Sequence, residues 1–188
     1  SPSDAYTIFS AFSYRSSDTT IDLTVNHADT NLIGNGASPV ELLALDRAAV
    51  FTSPDITENK MTMLNLSGTQ WLFNTMQISS NIFYRKNKTD SFNGDGSEFE
   101  AGGGNLQEDS EDIEDQEGNS VSATNANGTS RDAINNIIER KQEGFGANLQ
   151  ATIIADLMGK ENQFIFGSGY QQGIINHFAR VEIATLAC

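Results

Sequence analysis

The sequence predicts an all-β protein made of long antiparallel strands. Apolar and polar side chains alternate over residues 76–84, and the same period of two recurs over 20–27, which is the pattern of strands with one apolar and one wet face. The segment 61–71 is also extended, and only the connection 72–75 separates it from the next arm, so the two arms form a hairpin. These arms exceed the usual strand of about five or six residues, and a strand that crosses a membrane needs that length.

The predicted strands are joined alternately by short and long connections. Strands are predicted over about 4–15, 20–27, 58–71, 76–92, 132–155, 163–171 and 181–186. Long exterior loops are predicted over 28–56 and 93–131, and short connections over 16–19, 72–75 and 156–162. Transmembrane barrels of bacterial outer membranes have short turns on one side of the membrane and long loops on the other. The alternation therefore predicts that residues 1–188 form a partial β-barrel domain, an antiparallel transmembrane β-barrel section of about six to seven strands.

One short helix is predicted inside the first long loop, near residues 39–47. Ser38 is the expected N-cap, Pro39 occupies the first helical position and Glu41 completes a capping box. The second long loop is acidic over 107–118 and rich in Gly, Ser and Asn. Because such a composition cannot bury a core, this loop is predicted to be irregular or partly disordered.

The composition excludes several functional classes. The formal net charge is −14 and basic patches are lacking, which argues against nucleic acid as a partner. No stretch approaches the ~20 consecutive apolar residues of a transmembrane helix, and the one cysteine, Cys188, cannot form an internal disulfide. His27 and His177 have no partner at metal-ligand spacing. Without a catalytic motif we expect no enzyme activity, no metal site and no cofactor.

A family resemblance lies in three stretches of the chain: NLIGNGASPVELLALDRAAVFTSPDITENKMTMLNLSG, FYRKNKTDSFNGDGSEFE and NNIIERKQEGFGANLQATIIADLMGKENQFIFGSGYQQG. In this order, over roughly residues 4–186, they resemble the barrel domain of TonB-dependent outer-membrane receptors. The resemblance implies a 22-stranded barrel around an N-terminal plug, and energised uptake of iron chelates, cobalamin or another scarce nutrient across the bacterial outer membrane.

The resemblance also implies the partners of the protein. They would be outer-membrane lipid and lipopolysaccharide, the TonB complex acting through the plug, and a ferric chelate or another small nutrient. The chain contains no plug and too few strands to close such a barrel. We therefore expect it to be an internal section of a larger receptor, which takes up a ferric siderophore.

Four residues are candidates for ligand binding: Arg85, Lys86, Asn93 and Asp95. Arg85 and Lys86 lie where the fourth predicted strand leaves the membrane, and there they would attract an anionic ferric chelate or a lipid phosphate. Ordinary charge at the barrel rim is the plainer interpretation. Asn93 and Asp95 belong to a run of alternating oxygen-bearing side chains, for which a solvated exterior loop is the alternative.

The alternation also assigns side chains to the two sides of the wall. Lipid-facing residues are predicted to be Ile21, Leu23, Val25, Ile78, Ile82, Leu149 and Ile153, and lumen-facing residues Asp22, Asn26, Gln77, Asn81, Arg85, Asn148 and Gln150. A second hypothesis remains open from the same pattern. In a soluble, secreted β-rich binding or adhesion module, the apolar faces would pack a sandwich core instead of meeting lipid.

Overall fold

The computed structural model describes residues 3–34 and 38–186, and its architecture is all-β with antiparallel pairing, as predicted. The elements are β1 (Asp4–Arg15), β2 (Thr19–Gly34), α1 (Val40–Leu45), β3 (Asp55–Leu72), β4 (Met76–Gly96), β5 (Glu100–Gly102), β6 (Asn105–Glu108), β7 (Glu111–Asp112), β8 (Ala133–Leu157) and β9 (Lys160–Ala184). One sheet has six strands in the order β1-β2-β3-β4-β8-β9, and a small sheet has the order β5-β6-β7. In the described residues β1 and β9 are the edges of the large sheet and do not pair with each other.

The connections of the large sheet are short at one end and long at the other. At the short end lie the turns 16–18, 73–75 and 158–159, and at the opposite end lie residues 38–54 and the connection 97–132. Met158 and Gly159 both have positive φ angles, 54° and 76°, which is the conformation of a two-residue type I′ hairpin. The alternation predicted from the sequence is therefore present in the fold.

Several strands are longer than the sequence predicted. β2 continues to Gly34, well past the predicted 20–27, and β9 is a single strand where two separate strands, 163–171 and 181–186, were predicted. Both predictions were wrong for one physical reason. The adjacent apolar residues Leu32 and Ile33, and likewise Ile174 and Ile175, place apolar side chains on both faces, so no alternation marks these segments. Their backbone groups nevertheless pair with β3 and β8 in an unbroken ladder.

The second long connection is ordered by short hairpins, which the prediction of a partly disordered loop missed. The side chain of Leu106 is 1% exposed, and its backbone N–H donates to the carbonyl of Val121 at 2.8 Å. Asp115 and Asn125 each begin a turn with the same hydrogen-bond pattern. In both turns the side-chain Oδ1 accepts hydrogen bonds from the backbone N–H groups two and four residues onward. The polar residues that suggested disorder thus supply the turns.

The predicted helix is present as α1, but its predicted cap is wrong. Pro39 is the residue that precedes the helix, and no side chain caps the N-terminus. The hydroxyl of Ser38 instead donates to the carbonyl of Ala49 at 3.3 Å. Ser38 therefore hydrogen-bonds to the chain that follows α1, at Ala49, and does not cap the free N–H groups of the helix.

Candidate functional site

The strand register sorts the large sheet into two chemically different faces. Directly paired residues share a face, and pairing runs from Leu23 to Leu66, from Leu66 to Ile82 and from Ile82 to Ala147. We call the face with these residues the apolar face and the opposite one the polar face. All the residues predicted to face lipid (Ile21, Leu23, Val25, Ile78, Ile82, Leu149 and Ile153) lie on the apolar face, and all those predicted to face a lumen lie on the polar face.

The described chain does not cover its own apolar face. Ile82 is 55% exposed, Leu149 57% and Phe166 63%. The buried apolar side chains within residues 3–34 and 38–186 are Leu106, Ala123 and Ala133, none of which lies in the centre of that face. A domain of this size normally buries most of the apolar surface that its unfolded chain exposes. The apolar face is therefore built to meet something outside this segment.

Three tyrosines form a line across the apolar face, which we call the tyrosine boundary, and on β9 the apolar residues Ile174 and Phe178 lie beyond it. Tyr6, Tyr84 and Tyr170 lie on this face of β1, β4 and β9. From each tyrosine to the end of its strand at the short turn there are about 8–10 residues, or roughly 27–34 Å at ~3.4 Å per residue. The apolar stretch between tyrosine and turn thus has nearly the same length on the two edge strands and in the middle of the sheet.

This boundary crosses the sheet obliquely. The row of paired residues through Tyr6 reaches β4 at Lys88, four residues beyond Tyr84, whereas the row through Tyr170 reaches β4 at Ile82, two residues before it. From β1 to β9 the position of the tyrosine therefore shifts toward the short turns by about six residues, or ~20 Å. The shift occurs over five inter-strand steps of ~4.8 Å each, so the line of tyrosines makes an angle of about 40° with the rows of paired residues.

The short turns descend in the same direction as the tyrosines. Met76 ends β4 opposite Ile153, but β8 continues to Leu157 before its turn. Strands in membrane barrels tilt by about 35–45°. If the strands tilt by ~40° from the membrane normal, the line of tyrosines and the line of short turns both become parallel to the membrane plane. A strand length of roughly 27–34 Å then spans a height of about 21–26 Å. The apolar band of a transmembrane barrel is ~25 Å tall.

The four predicted ligand-binding residues do not form one site. Arg85, Asn93 and Asp95 lie on the polar face, but Asn93 is about eight residues, ~27 Å, further along β4 than Arg85. Lys86 lies on the apolar face, where its ammonium group pairs with the carboxylate of Glu143 at 2.8 Å. Arg85 and Lys86 are separated because neighbouring residues of a strand point to opposite faces, and the role of the four residues in ligand binding stays a prediction.

Arg85 has two basic neighbours on the polar face that the sequence reasoning missed. Arg140 lies one strand away and about 14 Å along the sheet from Arg85, and His177 is the directly paired neighbour of Arg140. Within the described part of the chain no carboxylate pairs with either arginine; amides, of Asn87 and Gln142, lie between them. Extending the alternation backward from 145–153 would have placed Arg140 on this face.

Glycines form the floor of the polar face below these basic residues. Gly144 is paired with Arg85 and with Gly173, and the depression around them is lined by Gln142 and Gln171. Phe83 closes one side, since its ring lies so close to Gly146 that an added Cβ would stand 2.6 Å from Cε1. The surface is therefore shallow, polar and locally cationic in a protein of net charge −14.

The chain matches no known protein-family model and no curated protein. Among the helices in the described ranges, none is long and apolar enough to cross a membrane.

Proposed function

We propose that this chain is a section of the wall of an outer-membrane β-barrel, and that the barrel belongs to a TonB-dependent receptor for a scarce nutrient, a ferric siderophore. The observation that carries the membrane part is the exposed apolar face, on which the tyrosines and the short turns follow two parallel oblique lines. In a sandwich, where the apolar face packs against another sheet, the apolar stretch need not have the same length on every strand. Its limits also need not follow an oblique line at the angle of the strand tilt.

The open edges support the same proposal. β1 and β9 present unpaired backbone N–H and C=O groups along their whole length within the described sheet, and such edges are unstable in lipid. Single-chain bacterial barrels have at least about eight strands. We infer that further strands pair with both edges and close the wall.

The receptor part of the proposal rests on the resemblance and on the polar face. Arg85 and Arg140 face the inside of the proposed barrel, and among the described residues no carboxylate pairs with them, which suits an anionic ferric chelate. The exterior loops are 35–54 and 97–132. In this proposal these loops capture the chelate above the membrane, and TonB acts on a plug inside the barrel.

The first test is the intact mass and location of the natural gene product. We expect a mass several times that of the 188-residue chain, recovered in the outer-membrane fraction. A product of this length that is soluble without detergent would overturn the membrane proposal, and would favour the secreted binding or adhesion module.

The second test addresses the ligand. In cells that depend on the receptor for iron, replacing Arg85 and Arg140 by Gln should lower uptake of an anionic ferric chelate and spare a neutral one. Replacing Lys86 by Gln changes charge at nearly the same position of β4 but on the other face, so it should leave uptake intact. If the unaltered receptor, the Arg85 and Arg140 double variant and the Lys86 variant take up the anionic chelate equally, the basic residues of the polar face do not contribute to ligand transfer.

A further inference from the structure

A groove lies on the apolar face beyond the tyrosine boundary. Its floor consists of three directly paired apolar side chains, Ile56, Phe92 and Ile137, on β3, β4 and β8. Phe92 is eight residues past Tyr84 on β4, which is ~27 Å along the strand, so the groove is separate from the apolar stretch between the tyrosines and the short turns. The volume of the groove is about 510 Å³, which falls within the usual range of small-ligand sites, about 300–1,000 Å³.

Carboxylates line the side of the groove that is nearer to the short turns. Glu58, Asp90 and Glu139 lie on the same three strands, each two positions from a residue of the floor. Successive side chains on one face of a strand are about 7 Å apart, so a ligand little larger than an aromatic ring reaches both the floor and the carboxylates. Among the described residues that line the groove, none is a lysine or an arginine. The lining is therefore apolar on one side and acidic on the other.

The carboxylates of the groove are accessible to a ligand. Lys88 contacts Oδ2 of Asp90 at 2.6 Å, and Lys141 pairs with Oε1 of Glu139, so each ion pair occupies one of the two carboxylate oxygens. The side chains of Asp90 and Glu139 are 38% and 41% exposed. Glu58 is exposed, and within the described part of the chain no basic side chain forms an ion pair with it. Glu58 is thus the carboxylate with the most capacity for an added cation.

We propose that this groove binds a small organic cation with an apolar body, an ammonium group joined to an aromatic ring or a short alkyl chain. The ammonium group lies against the carboxylates of Glu58 and Asp90, and the apolar body covers the floor. Phe92 serves both parts of such a ligand, since an aromatic ring packs against apolar groups and attracts a cation to its face. The carboxylates repel an anion.

The groove is a different site from the basic surface around Arg85. Arg85 lies on the polar face of β4, whereas Phe92 and Asp90 lie on the apolar face. The charge of the lining is also opposite, because the groove has carboxylates where the polar face has arginines. The inference therefore adds a second ligand class, and it does not depend on whether the chain belongs to a membrane receptor.

The experiment compares three small molecules that share a phenyl ring and differ in charge: phenethylammonium, phenethyl alcohol and hydrocinnamate. Binding of each to the natural gene product is measured by equilibrium dialysis, with the same solution without protein as the blank. We expect phenethylammonium to bind about fivefold more tightly than the alcohol, since each partly exposed ion pair contributes roughly twofold to fivefold. Hydrocinnamate should bind most weakly. Equal binding of the ammonium ion and the alcohol, or tighter binding of hydrocinnamate, would overturn the inference.

Variants locate the binding in the groove. Glu58→Gln/Asp90→Asn should remove the preference for the ammonium ion over the alcohol, and Glu58→Gln alone, which breaks no ion pair of the described chain, should remove about half of it on a logarithmic scale. The control Glu143→Gln/Asp156→Asn makes the same change in net charge on β8, outside the groove, and should change each affinity by less than twofold.

Two further results would refute the proposed ligand. An unchanged preference in Glu58→Gln/Asp90→Asn would show that the ammonium ion binds elsewhere. If phenethylammonium does not bind, but a helical peptide of leucine and lysine binds the unaltered protein and not this variant, the groove is a docking surface for a cationic protein segment and the small-cation assignment is wrong.

Discussion

A single arginine placed at different heights on the sheet tests whether the apolar face meets lipid. Leu149 lies on the apolar face of β8, four residues toward the short turn from Phe145. That separation is ~14 Å along the strand and about 10 Å in height. Since the proposed band is about 21–26 Å tall, Leu149 lies close to its middle, whereas Phe145 lies beside Tyr84 at its boundary.

The expected cost follows from this depth. Arginine on the lipid face of a barrel costs about 2–4 kcal/mol at the bilayer midplane and about 0–1 kcal/mol near the interface. Leu149→Arg should therefore lower the free energy of unfolding by about 2–4 kcal/mol, and Phe145→Arg by about 0–1 kcal/mol. Gln150→Arg, on the polar face one residue away, should be nearly neutral.

The assay is urea unfolding of the natural gene product in phospholipid vesicles, followed by tryptophan fluorescence. The decisive quantity is the loss in free energy of unfolding caused by Leu149→Arg relative to the loss caused by Phe145→Arg. A protein core has no membrane depth, so an arginine at either position of a sandwich core would be strongly destabilising. Equal large losses at both positions would refute the assignment to lipid, and an equal loss for Gln150→Arg would refute the separation into two faces.

Three further predictions concern local structure. Gly146→Val should lower the free energy of unfolding by about 1–3 kcal/mol, because its side chain collides with the ring of Phe83, and Phe83→Ala should restore most of the loss in the double variant. Met158→Asn should stabilise the last hairpin by about 1 kcal/mol, since Met158 has a φ of 54° that asparagine tolerates better. Hydrogen bonds from the backbone N–H and side-chain amide of Asn119 lower the pKa of Asp115, so its turn is stabilised at neutral pH and this stabilisation is lost as the pH falls below about 4.

Each of these predictions has its own check. Denaturant unfolding measures the first two, and additive effects in the Gly146 and Phe83 double variant would show that the collision is absent. Amide hydrogen exchange across residues 113–121 measures the third. Asp115→Asn keeps the accepting oxygen, as Asn125 does in the neighbouring turn, and should remove the dependence on pH; if exchange is unchanged at low pH, the carboxylate does not stabilise the turn.

The sequence identified the sheet best where the two faces differ in polarity. In 76–84 and 20–27, apolar side chains alternate with amides and hydroxyls, and both the strands and their faces were predicted correctly. In 28–34 and 172–180 the signal disappears, because the adjacent apolar pairs Leu32–Ile33 and Ile174–Ile175 place apolar side chains on both faces. The continuation of β2 to Gly34, and of β9 through residues 172–180, was missed for that reason.

Side-chain neighbours across strands were beyond the reach of sequence reasoning. Arg85 was a candidate, but its relation to Arg140 and His177 depends on the register of β4 with β8 and of β8 with β9. A shift of one residue in either register would place these side chains on opposite faces.

The pairing of β4 with β8 separates the large sheet from the connection 97–132. The two strands are in register up to Gly96 and Ala133, so both ends of the connection 97–132 are fixed by the sheet. Doubling the length of a flexible connection costs only about 0.6 kcal/mol in closure entropy. An antibody epitope inserted at the turn beside Gly128 should therefore leave the sheet intact, and in the proposed receptor it would be displayed at the cell surface. By the same reasoning, the segment 97–132 can change in length and sequence while the register of β4 with β8 stays the same.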